Sequence, residues 1–302
     1  MSVVKPACRR VSVNKSIVFV FLTVAVLSLT VTGGCVGKSV GDEAGDSVSS
    51  DSVPVVETDS VEPADSMEAL ISSQPMPKAA EELFDDFIFN FAANRRLQME
   101  RVDFPVAVRD GALTLTIEED EWSMERFFMQ QGYYTLILDS RQQLALTKDT
   151  SVCHVVVEKF DLRSSTAKNY LFDRVGGEWR MTSMEHVTLA DNVNAAFITF
   201  YETFATDSTV RVGSIADPVK VTAPDPDDDF RYTTTEVPAA EWATIGLDDL
   251  PCGTLYNVVY GSQQYTRADK KVLILRGIAN GMEIELTFRR QGGRWRLTEI
   301  ME

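Results

Sequence analysis

Phe84, Phe87 and Phe91 recur at three- and four-residue spacing in FDDFIFNFA, and Phe197, Phe200 and Phe204 repeat that spacing in FITFYETFA. The spacing brings three rings onto one helical face, so each stretch predicts an amphipathic helix. Downstream the apolar period shortens to two. In MEIELTF, Met282, Ile284, Leu286 and Phe288 alternate with polar residues, the pattern of a strand with one buried face. Four such segments follow the first helix: YYTLILDS, SVCHVVVEKF, KNYLFDRV and EWRMTSMEHV. LYNVVYGS, KKVLILRGI, MEIELTFRR and RWRLTEIM follow the second. Between helix and strands, Pro105 and Pro218 mark stretches expected to be irregular, each followed by a short segment around Trp122 or Trp242.

The two halves match in order as well as in kind. Phe84 to Ala92 falls on Phe197 to Ala205, and Pro105-Val106 on Pro218-Val219, both 113 residues on. Glu121-Trp122 recurs as Glu241-Trp242, YTLILDS (Tyr134 to Ser140) as YNVVYGS (Tyr256 to Ser262), and FDRVGGEWRMT as FRRQGGRWRLT. A conserved order with slowly drifting offsets is an internal duplication of a unit of about 110 residues. The Gly-Gly pairs between strand patterns predict two-residue hairpin loops, where both positions take positive φ. Trp179 and Trp295, just after them, are candidate core anchors.

The chain begins differently. Lys5, Arg9, Arg10 and Lys15 precede the apolar run IVFVFLTVAVLSL, too short to span a bilayer comfortably, and Gly33-Gly34-Cys35 follows. Small residues ahead of a lone cysteine resemble a bacterial lipobox, which implies diacylation of Cys35; Thr32 stands where that box usually has Leu. The expected division is a signal peptide at 1–34, a stalk at 35–78, and two domains at 79–189 and 190–302. From Val36 to Lys78, nine acidic residues oppose Lys38 and Lys78, and no aromatic residue is present. Such a composition buries too little apolar surface to offset ordering, so a disordered tether is expected. Val36 after the cysteine favours the outer membrane; neither its periplasmic nor its exterior face is indicated.

The formal net charge of −16 argues against nucleic acid and anionic lipid as electrostatic partners. An oxidising envelope would permit a Cys153–Cys252 disulfide, but their unlike contexts favour two separate buried thiols.

A leading helix and a curved antiparallel sheet closed by a Gly-x-Trp-Arg hairpin resemble the nuclear transport factor two-like (cystatin-like α+β cone) superfamily. Tandem copies behind a lipoprotein signal resemble a Bacteroidetes lipoprotein family of unknown function. The resemblance covers residues 79 to 302 and implies an α+β fold of two cones, with an internal pseudo-dimer of the two repeats. It implies no single activity, since the superfamily holds enzymes, binding domains and adaptors alike.

Enzymes of that superfamily place an Asp or His base inside the cone. His154 and His186 have no counterparts in the other repeat, and no catalytic dyad, metal motif or phosphate loop occurs, so no catalytic residue, metal or cofactor is assigned. Asp225, Asp227, Asp229 and Glu236 match calcium-loop spacing, but Phe230 stands where the turn needs Gly, and a solvated acidic loop is the better reading. Tyr134, Tyr256 and Tyr260, with Tyr133, are the pocket-rim candidates. Arg174, Arg180, Arg290 and Arg296 are expected to pair with carboxylates. The sequence thus points to a non-catalytic envelope lipoprotein that binds a small molecule or another envelope protein. The alternative is an enzyme using a buried carboxylate in one competent cone.

Overall fold

The computed structural model of the chain describes residues 83–302 except 245–246, 248–249 and 262–267. The signal peptide, Cys35 and the stalk lie outside the described residues.

Helix α1 (Phe84–Ala93) is followed by the short α2 (Arg95–Arg101), then by β1 (Val102–Asp110), β2 (Leu113–Ile117), β3 (Tyr133–Leu138), β4 (His154–Asp161), β5 (Thr166–Val175) and β6 (Glu178–Thr188). The second half repeats this series as α3 (Ala195–Thr206), α4 (Ser208–Gly213), β7 (Ile215–Asp225), β8 (Asp228–Val237), β9 (Thr254–Tyr260), β10 (Lys270–Gly277), β11 (Glu283–Gln291) and β12 (Arg294–Met301). Asn94 caps α2 by accepting from the Leu97 N–H at 3.2 Å, and Asp207 caps α4 by accepting from Thr209 N–H at 2.8 Å. The Pro105 and Pro218 stretches, expected to be irregular, are strands: β1 and β7 each run through their proline and pair antiparallel with β2 and β8. Periodicity missed them because β2 and the outer part of β1 have little buried face to show.

All strands belong to one 12-stranded sheet, in the order β2-β1-β6-β5-β4-β9-β3-β10-β11-β12-β7-β8. Adding six to each first-half strand number gives the same order read from the other end. At the centre, strands have changed places. β4 pairs with β9 of the second half from Val155↔Tyr260 to Asp161↔Thr254, and β3 pairs with β10 from Val272↔Leu138 to Gly277↔Tyr133. Each half therefore completes its sheet with a strand from the other. β3 and β9 meet in parallel at Thr135↔Asn257.

The sheet is covered on both faces. Phe84, Phe87 and Phe91 of α1 pack with Tyr134, Leu136, Tyr256, Val258, Phe172 and Trp179 on one face. On the other, Phe197 and Phe204 of α3 pack with Ile137, Leu255, Leu273, Phe288 and Trp295. Central strands buried on both sides lose their alternation, which is why all six residues of β3 are buried.

These faces correct the pairing of YTLILDS with YNVVYGS. Strands β4–β5 and β10–β11 share one register, His154↔Asp173 and Lys270↔Arg289, both shifted by 116. Lys159 therefore corresponds to Leu275; Lys159 pairs with Tyr256 whereas Leu275 pairs with Thr135. The structural counterpart of Tyr256 is Thr135, and Tyr134 lies one residue away. Matching Tyr to Tyr maximised identity, but a one-residue slip turns every side chain to the opposite face.

Candidate functional site

The pleat lays residues of the first half in rows across the sheet. Val258, Val157, Tyr170, Met184 and Val108 are cross-strand neighbours on the α1 face, and all are buried. Two residues along each strand comes a second row, Tyr256, Lys159, Lys168, His186 and Asp110. Four of its members, Lys159, Lys168, His186 and Asp110, line a groove of about 720 Å³. The aromatic floor thus passes into a charged, open mouth within one period of the pleat.

Glu125 is set over this row by a buried amide. Gln98 of α2 donates to Phe91 O at 2.8 Å and to Glu125 O at 2.7 Å, and accepts from Trp122 Nε1 at 3.2 Å and from Glu125 N at 3.1 Å. Both donors and both acceptor positions of the amide are used. One Glu125 oxygen accepts from the Tyr170 hydroxyl, and the other lies 3.6 Å from Lys159 Nζ. Lys159 sits over the Tyr256 ring at 5.4 Å and Lys168 over the Tyr170 ring at 4.8 Å. Burial pushes the Lys168 ammonium below its usual pKa, and Lys159 adds to the effect against the attraction of Glu125. For Lys159 burial acts downward too, but the Tyr256 hydroxyl and Glu125 outweigh it and its pKa rises. Burial also raises the Tyr170 and Tyr256 phenols. At the corresponding positions of the second half, Leu275 faces Ile284 in place of Lys159 and Lys168.

A second polar cluster lies under α1. Asp85 accepts from the Tyr260 hydroxyl, and its other oxygen is 3.5 Å from Arg276, which also reaches Tyr134 Oη at 3.4 Å and Glu283 at 2.8 Å. Burial raises the Asp85 carboxyl above its ordinary value, against the lowering effect of Tyr260 and Arg276. Between the two clusters the cone is filled. Phe84, Phe87, Phe91 and Phe127 each contact Phe172 with ring centroids 5.2, 6.0, 5.4 and 6.2 Å apart, and Phe128 stacks beside Tyr134 at 5.2 Å.

A family model described as a domain of unknown function (DUF4348) matches residues 63–302. The chain belongs to that family. A crystal structure of an NTF2-like protein (BF2862) from Bacteroides fragilis NCTC 9343 is 35% identical, over 75% of this chain and 98% of that one, with a TM-score of 0.69. No curated protein matches the chain. The DUF4348 chain is therefore an NTF2-like, mixed α+β protein with a large sheet and few helices.

In this DUF4348 member, Tyr134 and Tyr260 meet at Asp85 and Arg276, whereas Tyr256 stands in the lysine row; Tyr133 is buried in β3. His154 is held by Asp173 at 2.7 Å, and His186 lies 3.8 Å from Asp110. Arg180 pairs with Asp103 as expected, but Arg296 donates to the Gly213 and Ile215 carbonyls, at 3.2 and 3.3 Å. Arg174 and Arg290 lie over the Trp179 and Trp295 rings, at 5.0 and 5.3 Å, and Arg290 also pairs with Asp269 at 4.0 Å, as expected. Cys153 is a free, exposed thiol and so does not pair with Cys252, which is half-buried against the second core. The acidic run is solvated, as expected, but as a tight hairpin rather than an open loop: Asp225 pairs with Asp228 across the turn, Asp227 and Asp228 are exposed, and Glu236 faces Lys220 far along β8. The lysine row itself escaped the sequence reading, because 159, 168 and 186 are neighbours only through strand register. The available signal was the pair of lysines in otherwise apolar strand patterns.

Proposed function

We propose that this protein is a non-catalytic lipoprotein of the cell envelope that binds a small molecule in the groove across β1, β6, β5 and β4. It would be held to the outer membrane through a lipid on Cys35. The observation that carries the binding reading is the contrast within the first cone. Its interior is packed with aromatic rings, while Lys159, Lys168, His186 and Asp110 line an open groove at its mouth. Ring packing occupies the middle of the cone, whereas a groove of this size suits a small ligand. The two halves would act as an internal pseudo-dimer, a reading supported by the symmetric strand order and the exchanged central strands. Only one of its members would bind, since Leu275 and Ile284 replace the lysines in the other.

Native mass spectrometry of protein purified from its own membranes tests the binding: a bound small molecule is expected, and a bare chain from several preparations would contradict it. Palmitate labelling tests the anchor, with label in wild type and none in Cys35→Ala.

Asp85 favours a second reading, an enzyme using a buried carboxylate for proton transfer. Its carboxyl is raised by burial and held beside Tyr260 and Arg276. Deuterium incorporation next to the carbonyl of ketones and 2-oxo acids, lost in Asp85→Asn, would support that reading over the first.

A further inference from the structure

We infer that the ligand of the groove is a small oxyanion, a carboxylate or phosphate, seated across Lys159 and Lys168. This rests on the small-molecule reading above and adds the charge of the ligand. The two lysines are directly opposed on β4 and β5, with Lys168 in turn opposite His186 of β6. Neighbouring strands lie about 4.8 Å apart, so three basic side chains stand abreast on one face. Like charges directly opposed across a sheet repel. The groove as a whole is of mixed charge, with Asp110, Asp161, Glu185 and Asp191 beside Arg109, Lys159 and Lys168, so the anion's place is the lysine row itself.

The carboxylates around the row are already committed or stand to one side. Glu125 approaches Lys159 at 3.6 Å while accepting from Tyr170, Glu185 is taken by Arg109 at 2.9 Å, and Asp110 lies 3.8 Å from His186. Asp161 and Asp191 line the groove beyond the row. Among the described residues no carboxylate forms an ion pair with Lys168. Its ammonium rests on the Tyr170 ring, half-buried, facing the groove. An oxyanion between the two ammonium groups would relieve their repulsion and add a nearer counter-charge for Lys168 to the attraction of Glu125. The hydroxyls of Thr254 and Thr166, one pleat further out on the same groove, can donate to its remaining oxygens, while Thr188 gives its proton to Asp191 at 2.7 Å.

The test is calorimetry and thermal melting of the full chain, purified in detergent, at constant ionic strength set with sodium chloride. The probes are inorganic phosphate, succinate and, as a neutral control, arabinose. Phosphate or succinate is expected to bind and to raise the melting temperature, and whichever binds tighter separates phosphate from carboxylate ligands. Lys168→Gln and Lys159→Gln should each weaken that binding at least tenfold, while Lys148→Gln, on an exposed turn, should change it less than twofold. The unliganded Lys168→Gln protein should melt no lower than wild type, because an opposed charge has been removed, so lost binding would not reflect misfolding. Equal affinity in wild type and Lys168→Gln, or no response of wild type to either anion, overturns the inference. A neutral molecule carried by the native protein, with no response to anions, would leave the small-molecule reading standing and remove only the charge assigned to its ligand.

Discussion

Removing the Asn257 amide tests whether the junction between the halves is held by side chains. At this junction β3 and β9 form a parallel bridge at Thr135↔Asn257. Side chains supply further bonds there: Asn257 Oδ1 accepts from the Ile137 N–H at 2.8 Å, and Thr135 Oγ1 donates to the Tyr256 carbonyl at 3.0 Å. Asn257 Nδ2 also donates at 2.7 Å to Glu158, whose other oxygen accepts from Asn192 at 2.6 Å. Asn257 is fully buried, so water cannot replace these partners. In Asn257→Ala a buried N–H loses its acceptor, which costs about 1–3 kcal/mol, and a carboxylate loses one of two amide donors, about 1.5–3 kcal/mol. The expected loss is about 3–5 kcal/mol, a large part of the ~5–15 kcal/mol typical of a folded domain. With a urea m-value of about 3 kcal/mol per molar, the midpoint should fall by about 1–1.7 M at unchanged m. Unfolding should be followed by tryptophan fluorescence. One coincident transition for both halves is expected, since each holds a central strand of the other. Asn257→Asp should be worse at neutral pH, where two carboxylates would face each other, and should recover on acidification as the pair takes up a proton. A loss below about 1 kcal/mol in Asn257→Ala, or two separate transitions, would refute the reasoning.

Three further outcomes follow from particular contacts. Glu158 is buried, and burial raises its carboxyl above the ordinary 4.5 despite the Asn257 and Asn192 amides. A folded pKa above the unfolded one stabilises fully below the unfolded value, and that contribution is lost as pH rises through the folded pKa. Melting temperatures of wild type should therefore fall relative to Glu158→Gln as pH increases from 4.5, and parallel curves would contradict this. Gly177 and Gly293 hold φ of +90° and +78° in open space, so Gly177→Ala should cost about 1–2 kcal/mol through its backbone alone. Chemical denaturation checks that value, with Gly176→Asn, a residue that tolerates the left-handed region, expected to cost less. Gln98→Met keeps the volume but strands the Trp122 and Glu125 N–H groups, and a loss of about 2–4 kcal/mol by thermal melting is expected.

The Phe84/Phe87/Phe91 stripe and the Gly-Gly hairpins were legible because each rests on neighbours in sequence. The α1 face follows from 3.6-residue spacing, and the turns follow from residues that take positive φ without strain. Strands β1, β2, β7 and β8 were not legible, since prolines and exposed positions hid their period. Of the site, Tyr134, Tyr256 and Tyr260 could be singled out, but not the fact that the first and last meet Asp85 while the second joins the lysines. Asp85 reads in sequence as a polar position on an amphipathic helix; its burial is due to Tyr260 and Arg276, 175 and 191 positions away.

By itself the sequence determined which faces of the two Phe-striped helices turn to a core, and where the two Gly-Gly hairpins turn. Those are local consequences of side-chain periodicity and backbone freedom. Only the tertiary structure decided that β3 and β9 change places, that Tyr256 answers to Thr135 rather than Tyr134, and that Lys159, Lys168 and His186 stand in one row. A period of two says which face a side chain takes. Which residue stands beside it depends on the choice of partner strand and its register, and that choice belongs to the whole sheet.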